Sequence, residues 1–512
     1  MTGSLRSVRD GVSLVEYPEA SEDEANREAI ALARLLRGPD RSGILDAIPA
    51  ARTLLVLFDP ARLSVEVLEG EVARLAGRSS DPENPARRVR IPVAYGGAAG
   101  PDLAPLARER GFAEEEFARR HASAEYRVAF IGFAPGYPYL VGLPEELRAP
   151  RLRSPRPRVA AGTVAIAAAY SGIYPAESPG GWRLIGRTSM TLFDPGASPP
   201  ALLEAGDEVR FEAVREADLP ASRPPVSSSP GGLPVWRVLS PGVFASVQGA
   251  PRYGMGSSGV PAGGAMDASS LLRANALLGN PPGDGALEIA LVGPELEALA
   301  AATVAITGAD LAVEWNGGNA PHGEPFRVRA GDRLRFGRAR SGMRSYLSVA
   351  GGFETPFQTR RIETGDVLTL GGLESSSGGP AAEAAGMPDE IRVRVLPGPQ
   401  VRDFEPGTLE RLVAGSWRVS PTSDRRGLRL EGEPLSAAGP SEIPPEGAVF
   451  GSIQLPGQGL PIVLGPDGPV TGGYPKIATV VGEDLPMLGQ AAPGTRIRFS
   501  ALASGSAAGG RE

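Results

Sequence analysis

Cysteine is absent from the 512-residue sequence, and histidine occurs only twice, as His121 and His322. The lack of cysteine excludes disulfides, thiolate nucleophiles, cysteine-ligated zinc and iron–sulfur clusters, and it fits a reducing compartment. A histidine-based metal site would need carboxylate help, and neither histidine has the His-x-x-Glu or His-x-x-x-His spacing that supplies it. We therefore predict no structural metal.

Long hydrophobic runs are also missing. The longest smooth apolar stretch, Val159–Tyr170, is too short and too interrupted by glycine to span a bilayer, and Met1–Gly11 lacks the apolar core of a signal peptide. The net charge of −7 is spread along the chain, and the basic run Arg148–Arg158 suits a solvated loop or an anion patch. These features predict a cytoplasmic protein that binds neither membranes nor nucleic acid.

Glycine and proline are abundant, with 68 and 51 residues respectively, as is typical of short strands joined by specified turns. The segment Ala205–Phe211, a Gly-Asp turn followed by an alternating strand, recurs in related form at Ala330–Phe336, Thr364–Leu368 and Pro493–Phe499. Each copy resembles the closing strand of a β-subdomain. We therefore predict several related barrels.

The first 95 residues follow a different pattern. Two amphipathic helices alternate with four strands, and the capping box Ser21-Glu22-Asp23-Glu24 opens the first helix. The order βαββαβ predicts a ferredoxin-like α+β module. Its predicted strands are Val12–Tyr17, Leu45–Ala50, Thr53–Asp59 and Arg88–Tyr95.

Two stretches rich in proline, serine and alanine divide the chain. They predict linkers at 214–234 and 374–390. We accordingly expect the α+β module at 1–95, barrels at 96–213, 235–373 and 391–501, and a flexible tail at 502–512.

The densest groups of glycine, proline and aromatic residues lie within Phe130–Arg187, where they specify the backbone and favour a pocket. Aromatic walls with one or two arginines suit a small planar carboxylate. The alternative is that the tyrosines fill a core while the arginines face solvent. The predicted substrate-binding set from this segment is Tyr137, Tyr139, Tyr174, Arg183 and Arg187.

Three further polar residues are candidates for catalysis. His121 ends a predicted helix, whose dipole would raise the pKa of the imidazole and place an acid or anion binder at the pocket mouth. Lys476 lies in an apolar, turn-dense stretch and must reach water or meet an anion, here a substrate group. Gln454 lies in an apolar strand and needs a partner. A half-exposed helix-end histidine and a barrel-rim lysine are the alternatives.

Gly254–Gly259 fits the GxGxxG pattern, but the next helix begins only near Asp267, too late to receive a phosphate from that loop. We reject a dinucleotide site. The glycines instead predict a loop that lies close to another backbone or to a ligand.

Together these motifs resemble two bacterial families that are usually encoded side by side. The first comprises the B subunits of 5-oxoprolinase, also called Kip inhibitor and similar to allophanate hydrolase subunit 1. The second comprises the C subunits of 5-oxoprolinase, also called Kip antagonist and similar to allophanate hydrolase subunit 2. Both are similar to the carboxyltransferase domain of urea carboxylase. The B-like half, residues 1–211, carries Gly132–Leu140, Gly172–Pro175 and Ser178–Arg187, and the C-like half, residues 238–499, carries Gly264–Asp267, Ser423–Arg425 and Thr471–Ala478.

The resemblance implies a mainly β fold with one cyclophilin-like barrel in the B-like half, two in the C-like half, and halves that face each other. It adds Arg425 and Tyr474, which lie in the C-like motifs, to the substrate-binding candidates. The C-like half departs from its family's pattern at Ser246–Arg252, Gly263-Gly264, Phe357–Arg361 and Pro469-Val470, whereas the B-like motifs are intact.

The resemblance also implies a function. Members of the 5-oxoprolinase type work with a third subunit to open the lactam of 5-oxoproline with ATP hydrolysis. The chain is thus expected to be a fused B and C component that takes a small carboxylate or amide, with ATP bound here or only in the full complex. Arg183, Arg187, Lys476 and the Gly180-Gly181 amides are the expected phosphate contacts.

Two alternatives stay open. One is a Kip-type protein that inhibits a sensor histidine kinase, and the other is the carboxyltransferase component of a system related to urea carboxylase or allophanate hydrolase. The sequence has no biotin-carboxylase domain and no biotinylated Met-Lys-Met segment, which excludes a complete carboxylase. A homo-oligomer also stays open.

Overall fold

The computed structural model describes residues 3–38, 41–76, 86–221, 231–372, 390–435 and 442–502. The centre of the first predicted linker (222–230), nearly all of the second (373–389) and the predicted tail (503–512) lie outside these residues. The described chain is mainly β, and two of its sheets close into seven-stranded barrels. This confirms the predicted fold class.

The N-terminal unit is a four-stranded antiparallel sheet in the order β1-β2-β4-β3 with two helices. Strand β4 is buried along its whole length because both faces of the sheet are covered. Leu54 and Val56 pack with the helices, whereas Leu55 and Leu57 face the C-like half. The elements are β1 (Ser4–Arg9), β2 (Val12–Glu16), α1 (Glu22–Leu36), β3 (Ile44–Pro49), β4 (Thr53–Phe58) and α2 (Val65–Leu75).

The predicted capping box is present, since the Ser21 side chain accepts a hydrogen bond from the Glu24 amide at the start of α1. The predicted order βαββαβ of this unit was wrong, and the observed order is ββαββα. Its edge strand is Ser4–Arg9, which joins the next strand through the two-residue turn Asp10-Gly11 with Gly11 at φ 70°. The predicted fourth strand, Arg88–Tyr95, pairs in parallel with Glu208–Ala213 and belongs to the first barrel.

That barrel closes in the order β10-β7-β6-β13-β5-β12-β9, and β8 and β11 form a separate ribbon. Helices α3 and α4 pack against its core. The elements are β5 (Arg88–Tyr95), α3 (Leu103–Glu109), α4 (Glu114–Ser123), β6 (Tyr126–Ile131), β7 (Pro138–Val141), β8 (Arg156–Val159), β9 (Thr163–Ala167), β10 (Tyr170–Ile173), β11 (Ser178–Gly180), β12 (Arg183–Arg187) and β13 (Glu208–Ala213).

The next unit consists of a six-stranded and a five-stranded sheet that share one core around Trp236, Leu296 and Leu347. It differs from the closed barrel predicted here, because only isolated bridges such as Phe353 to Leu370 extend the pairing beyond the two sheets. The elements are β14 (Pro234–Ser240), β15 (Phe244–Gln248), α5 (Ala268–Leu278), β16 (Ala286–Ala290), β17 (Glu295–Ala298), β18 (Ala302–Asp310), β19 (Glu314–Trp315), β20 (Gly318–Asn319), β21 (Pro325–Val328), β22 (Arg333–Arg335), β23 (Ser341–Val349) and β24 (Val367–Thr369).

The last unit is a closed barrel in the order β25-β32-β29-β30-β27-β26-β33, with β28 and β31 paired as a ribbon outside it. The elements are β25 (Glu390–Pro397), α6 (Thr408–Ala414), β26 (Trp417–Val419), β27 (Gly427–Glu431), β28 (Glu446–Gly447), β29 (Ser452–Gln454), β30 (Ile462–Leu464), β31 (Thr471–Gly472), β32 (Lys476–Val480), α7 (Leu485–Gly489) and β33 (Arg496–Ala501).

The predicted repeats share the conformation of their turn. Each copy has its turn glycine at positive φ, between 88° and 97°, at Gly206, Gly331, Gly365 and Gly494. In the two closed barrels, the strand after that glycine pairs in parallel with the first strand of the same barrel, β13 with β5 and β33 with β25. The prediction that these repeats close barrels is confirmed for these two copies.

Candidate functional site at the junction of the two halves

The three predicted tyrosines of the B-like half come together in one aromatic cluster. The ring centroid of Tyr137 lies 5.1 Å from that of Tyr174 and 5.3 Å from that of Tyr139, and Trp182 packs edge-on against Tyr137 and Tyr139. All three tyrosines are buried. The Tyr137 hydroxyl forms no hydrogen bond of good geometry, although the Tyr174 hydroxyl lies nearby.

The predicted arginines do not join this cluster. Arg183 donates from Nε to the Pro150 carbonyl over 3.4 Å, and its Nη2 lies 3.7 Å from Glu109. Arg187 is exposed at the end of β12. The contacts described for these two arginines thus lie outside the tyrosine cluster, and their joint binding of a substrate with the tyrosines stays a prediction.

Arg151 and Arg156 are the cations whose charges act on these tyrosines. Burial raises the pKa of Tyr139 to about 12, and the charge of Arg151 acts against that rise. Arg151 has the same opposing effect on the raised pKa values of Tyr137 and Tyr174. Its side chain is half exposed and reaches Glu442 of the C-like half at 3.5 Å. The sequence signal for this residue was the basic run, for which an anion patch was one of two interpretations.

His121 does not lie at a pocket mouth, and the predicted rise in its pKa was wrong. The imidazole is fully buried between the rings of Tyr126 and Phe211, with Nδ1 2.8 Å from the Tyr95 hydroxyl and Nε2 3.0 Å from Ser171 Oγ. Burial lowers the pKa of His121 to about 3. Desolvation outweighs the helix dipole because the ring lies in the barrel core. The neutral ring is therefore a core group.

Lys476 is the only lysine in the chain, which otherwise carries all its basic side chains as arginine. It is 2% exposed, and its Nζ lies 2.5 Å from Glu446 Oε1. Gln400 completes the group, because its Nε2 donates to both Glu446 oxygens and its Oε1 accepts from the Lys476 amide. The anion that the sequence required for Lys476 is thus Glu446 of the same chain. That Lys476 is the only lysine was a sequence signal for this position, and the motif comparison missed it.

Gln454 pairs with Lys476 across β29 and β32 and is 4% exposed. Its Nε2 is buried without a hydrogen-bond partner, and so is Thr471 Oγ1. A Cβ on Gly472 would lie 2.8 Å from Gln454 Nε2, so the two unpartnered groups border the same short ribbon. Tyr474 follows that ribbon and is 38% exposed.

The B-like aromatic segment touches this ribbon directly. A Cβ on Gly132 would lie only 1.7 Å from Thr471 Oγ1, so any other residue would force the two halves apart. The Gly132 amide in turn donates to the Tyr137 carbonyl over 3.1 Å. We call the region formed by Tyr137, Arg151, Gln454 and Thr471 the junction site.

The glycine loop Gly254–Gly259 also contacts the aromatic segment. Ser258 accepts from the Gly136 amide over 2.9 Å, and Asp46 of the N-terminal unit accepts from the amides of Gly254 and Gly256. A Cβ on Gly256 would lie 2.2 Å from Ile48. The prediction that this loop lies against another backbone is confirmed.

Arg425 lies in a buried ion-pair network between the two units of the C-like half. Its Nη1 donates to Glu288 over 2.7 Å, and its Nε pairs with Asp467 over 2.8 Å. Although burial alone would raise the pKa of Glu288, the charges of Arg425 and Arg344 hold it below its usual value. Because every charge here has an internal partner, the contacts of Arg425 are structural, and substrate binding by this residue stays a prediction.

Both halves of the chain are similar to known proteins. Residues 4–203 match the family model described as carboxyltransferase domain, subdomain C and D, and residues 258–501 match carboxyltransferase domain, subdomain A and B. The chain is 44% identical over 178 residues to the 5-oxoprolinase B subunit of Escherichia coli O157:H7, covering 35% of this chain and 81% of that protein. It is 33% identical over 282 residues to the 5-oxoprolinase C subunit of Escherichia coli K12, covering 51% of this chain and 90% of that protein.

The chain belongs to the family of the 5-oxoprolinase B and C subunits. The resemblance predicted from the motifs is therefore confirmed, with a B-like half followed by a C-like half. The crystal structure of TTHA0988 is similar over both halves, with 37% sequence identity and a TM-score of 0.84, covering 97% of this chain and 100% of that one. The arrangement of two halves in one chain thus recurs in a solved protein.

The residues expected to hold an ATP phosphate do not fit one. Lys476 is bonded to Glu446, Arg183 is bonded to Pro150 and lies near Glu109, and Arg187 faces solvent. Gly180 packs so closely on the Tyr174 hydroxyl that a Cβ would approach it to 2.2 Å. Cationic groups must converge on a phosphate to bind it, and these do not.

Two further findings concern the described residues. No three of their His, Asp and Glu side chains lie together in a way that could hold a metal ion. None of their helices is long and apolar enough to cross a membrane.

Proposed function

We propose that this chain is the fused B and C component of a 5-oxoprolinase-type amide or lactam hydrolase, which works with a separate third subunit. The observation that supports it is the junction site, where the Gly132–Leu140 motif of the B-like half contacts the Thr471–Ala478 motif of the C-like half. Buried polar groups without partners are costly in a core, so their presence at this contact favours a ligand that satisfies them.

The junction site offers complementary groups to a small cyclic amide with a carboxylate. Gln454 Nε2 is a free donor for the amide carbonyl, and Thr471 Oγ1 accepts or donates beside it. Arg151 supplies the positive charge for the carboxylate next to the aromatic wall of Tyr137 and Tyr139. Lys476 acts as a positioning residue, because its ion pair with Glu446 fixes the strand opposite Gln454.

We assign ATP to the full complex rather than to this chain alone. The expected phosphate contacts do not converge here, and relatives of both halves are named as subunits of one enzyme. The chain would then bind the amide substrate and present it to the nucleotide site of the third subunit. Separate titrations of the isolated chain with ATP and with substrate test this division.

The sole lysine gives a direct test of substrate binding. Lysine labelled with ¹³C at the ε carbon yields one side-chain signal, from Lys476, which lies opposite Gln454. We expect 5-oxoproline to shift this signal in a saturable manner. Arg151→Met should weaken the titration by about tenfold, because a charged hydrogen bond is lost, and Arg153→Met from the same basic run is the matched control.

The outcomes separate the candidate functions. A shift with 5-oxoproline, and ATP-dependent production of glutamate only when the third subunit is added, would support the proposal. A shift with urea or allophanate but none with 5-oxoproline would favour a carboxyltransferase component instead. If Arg151→Met and Arg153→Met titrate like the unchanged chain, the junction site does not bind the carboxylate.

A further inference from the structure

A cavity of about 400 Å³ lies where the N-terminal sheet meets both units of the C-like half. Its walls come from three parts of the chain, with Ile48 and Leu57 from the sheet, Val260 and Met266 from the segment before α5, and Val449 and Val470 from the last barrel. This volume is in the range of small-molecule sites. None of the proposed contacts of the junction site lines it.

Arg9 is the cation that borders this cavity. Its Nε is buried without a hydrogen-bond partner, and Arg9 forms no salt bridge within the part of the chain that the structure describes. The side chain reaches from the end of β1 to the last barrel, where a Cβ on Gly482 would lie 3.0 Å from its Nη1. Burial lowers the pKa of the Arg9 guanidinium, although Tyr253 and Asp10 oppose that shift.

The acidic residues around the cavity do not neutralise Arg9. Asp46 accepts from the amides of Ala47, Gly254 and Gly256, and burial raises the pKa of its carboxyl group. Asp59 accepts from the Ala61 amide and lies 3.5 Å from Arg62. Asp10 is exposed in the hairpin turn. The buried Nε of Arg9 thus lacks the hydrogen-bond partner that a charged group in apolar surroundings requires.

We propose that this cavity binds a small apolar monocarboxylate, with its carboxylate on Arg9 and its hydrocarbon part between Ile48, Leu57 and Val470. Arginine binds a carboxylate through two parallel hydrogen bonds, and the apolar walls exclude a strongly polar ligand. A ligand there contacts both halves of the chain and stabilises their docking. The site is distinct from the one proposed for 5-oxoproline.

Octanoate is the probe, and isothermal titration with the full chain is the measurement. We expect one octanoate per chain, no comparable binding of octan-1-ol or octylamine, and a rise in melting temperature with octanoate. Arg9→Met keeps the stem and should weaken octanoate binding by about tenfold or more, because the charged contact is lost. Arg6→Met is the matched control, since Arg6 lies on the same strand but pairs with Glu16 on the surface.

Intermolecular NOEs between octanoate and the methyl groups of Ile48, Leu57 and Val470 test the location in the unchanged chain, whether or not the variant folds. Excess 5-oxoproline should not displace octanoate, because the two ligands are proposed to bind at different sites. The octanoate proposal can therefore fail while the proposed function stands, and the proposed function can fail while octanoate still binds. Equal binding of octan-1-ol, unchanged binding by Arg9→Met, NOEs confined to other methyl groups, or no binding of octanoate would each overturn the proposal.

Discussion

At the scale of single residues, Lys476 shows how burial changes the meaning of a charge. Sequence patterning required an anion for this lysine and suggested that the anion is a ligand. The structure provides Glu446 at 2.5 Å inside the same barrel unit. A buried ion pair contributes little net stability, but removal of one partner leaves an uncompensated charge in a low-dielectric core.

We therefore predict that Lys476→Met destabilises the chain by about 3–5 kcal/mol, because Glu446 is left unpaired. The double variant Lys476→Met/Glu446→Gln should recover most of this loss, since the new amide keeps its hydrogen bond with Gln400. Chemical denaturation of the three proteins at pH 7 measures both values. Equal stability of Lys476→Met and the unchanged chain would show that Glu446 does not depend on Lys476 for its charge partner.

His121 yields a prediction about pH. Its pKa is about 3 in the folded chain because of burial, against 6.5 for a free histidine, so below pH 6.5 only the unfolded state takes up the proton. The stabilising contribution of His121 is thus complete above pH 6.5 and falls by about 1.4 kcal/mol per pH unit down to pH 3. Between pH 6.5 and 5 the loss should be about 2 kcal/mol.

Hydrogen exchange of α4 and β13 at several pH values measures this loss locally. In His121→Gln the same segments should be less stable at pH 7 but should lose less stability as the pH falls to 5. His322→Gln is the control, because His322 lies in the other half of the chain, where partial burial also lowers its pKa. If the stability of α4 and β13 in the wild-type chain does not change between pH 7 and pH 5, the low pKa of His121 is contradicted.

At the scale of elements, glycines set the distance between the two halves. Gly132 directly follows β6, and its missing side chain is what allows Thr471 of β31 to approach. An added methyl group would overlap the threonine hydroxyl, and overpacking of this kind usually costs about 1–3 kcal/mol. The same contact also positions the junction site.

We predict that Gly132→Ala lowers the melting temperature and weakens 5-oxoproline binding together, because it displaces the ribbon that carries Thr471. Gly132→Ala/Thr471→Gly should restore part of the melting temperature, since the clashing side chain is removed, but not the ligand contact proposed for Thr471 Oγ1. Gly181→Ala is the matched control, as its nearest neighbour would be 3.8 Å from the new methyl group. Differential scanning fluorimetry and the lysine signal of Lys476 measure the two effects, and wild-type behaviour of Gly132→Ala would argue against close docking.

Sequence reasoning predicted elements better than it predicted contacts between them. The capping box at Ser21 and the turn glycines of the repeats are local signals, and the structure contains both. The edge strand Ser4–Arg9 was missed because its polar composition gives no clear alternation, and strand Arg88–Tyr95 was misplaced because its parallel partner lies 120 positions away along the chain. Arg151 and Glu446 escaped notice for a similar reason, since their partners come from distant segments.

At the scale of the whole molecule, the two halves share a hydrophobic cluster. Val470 of the C-like half packs with Val12, Leu14, Leu55 and Leu57 on the outer face of the N-terminal sheet. A Cβ on Gly447 would lie 2.4 Å from Leu55, so the ribbon of β28 and β31 is pressed against that sheet. Separation of the halves would expose these side chains to water.

This packing predicts what happens when the chain is cut between its halves. A specific protease site introduced at 222–230 should give two fragments that still elute together from a size-exclusion column, because the shared cluster and the contacts of Asp46 and Gly132 hold them. The variant Leu55→Asp/Val470→Asp, cut in the same way, should separate, since two charges would be buried in an apolar contact at a cost of several kcal/mol. Separation of the unchanged fragments would show instead that the covalent connection keeps the halves together, and the junction site would then depend on it.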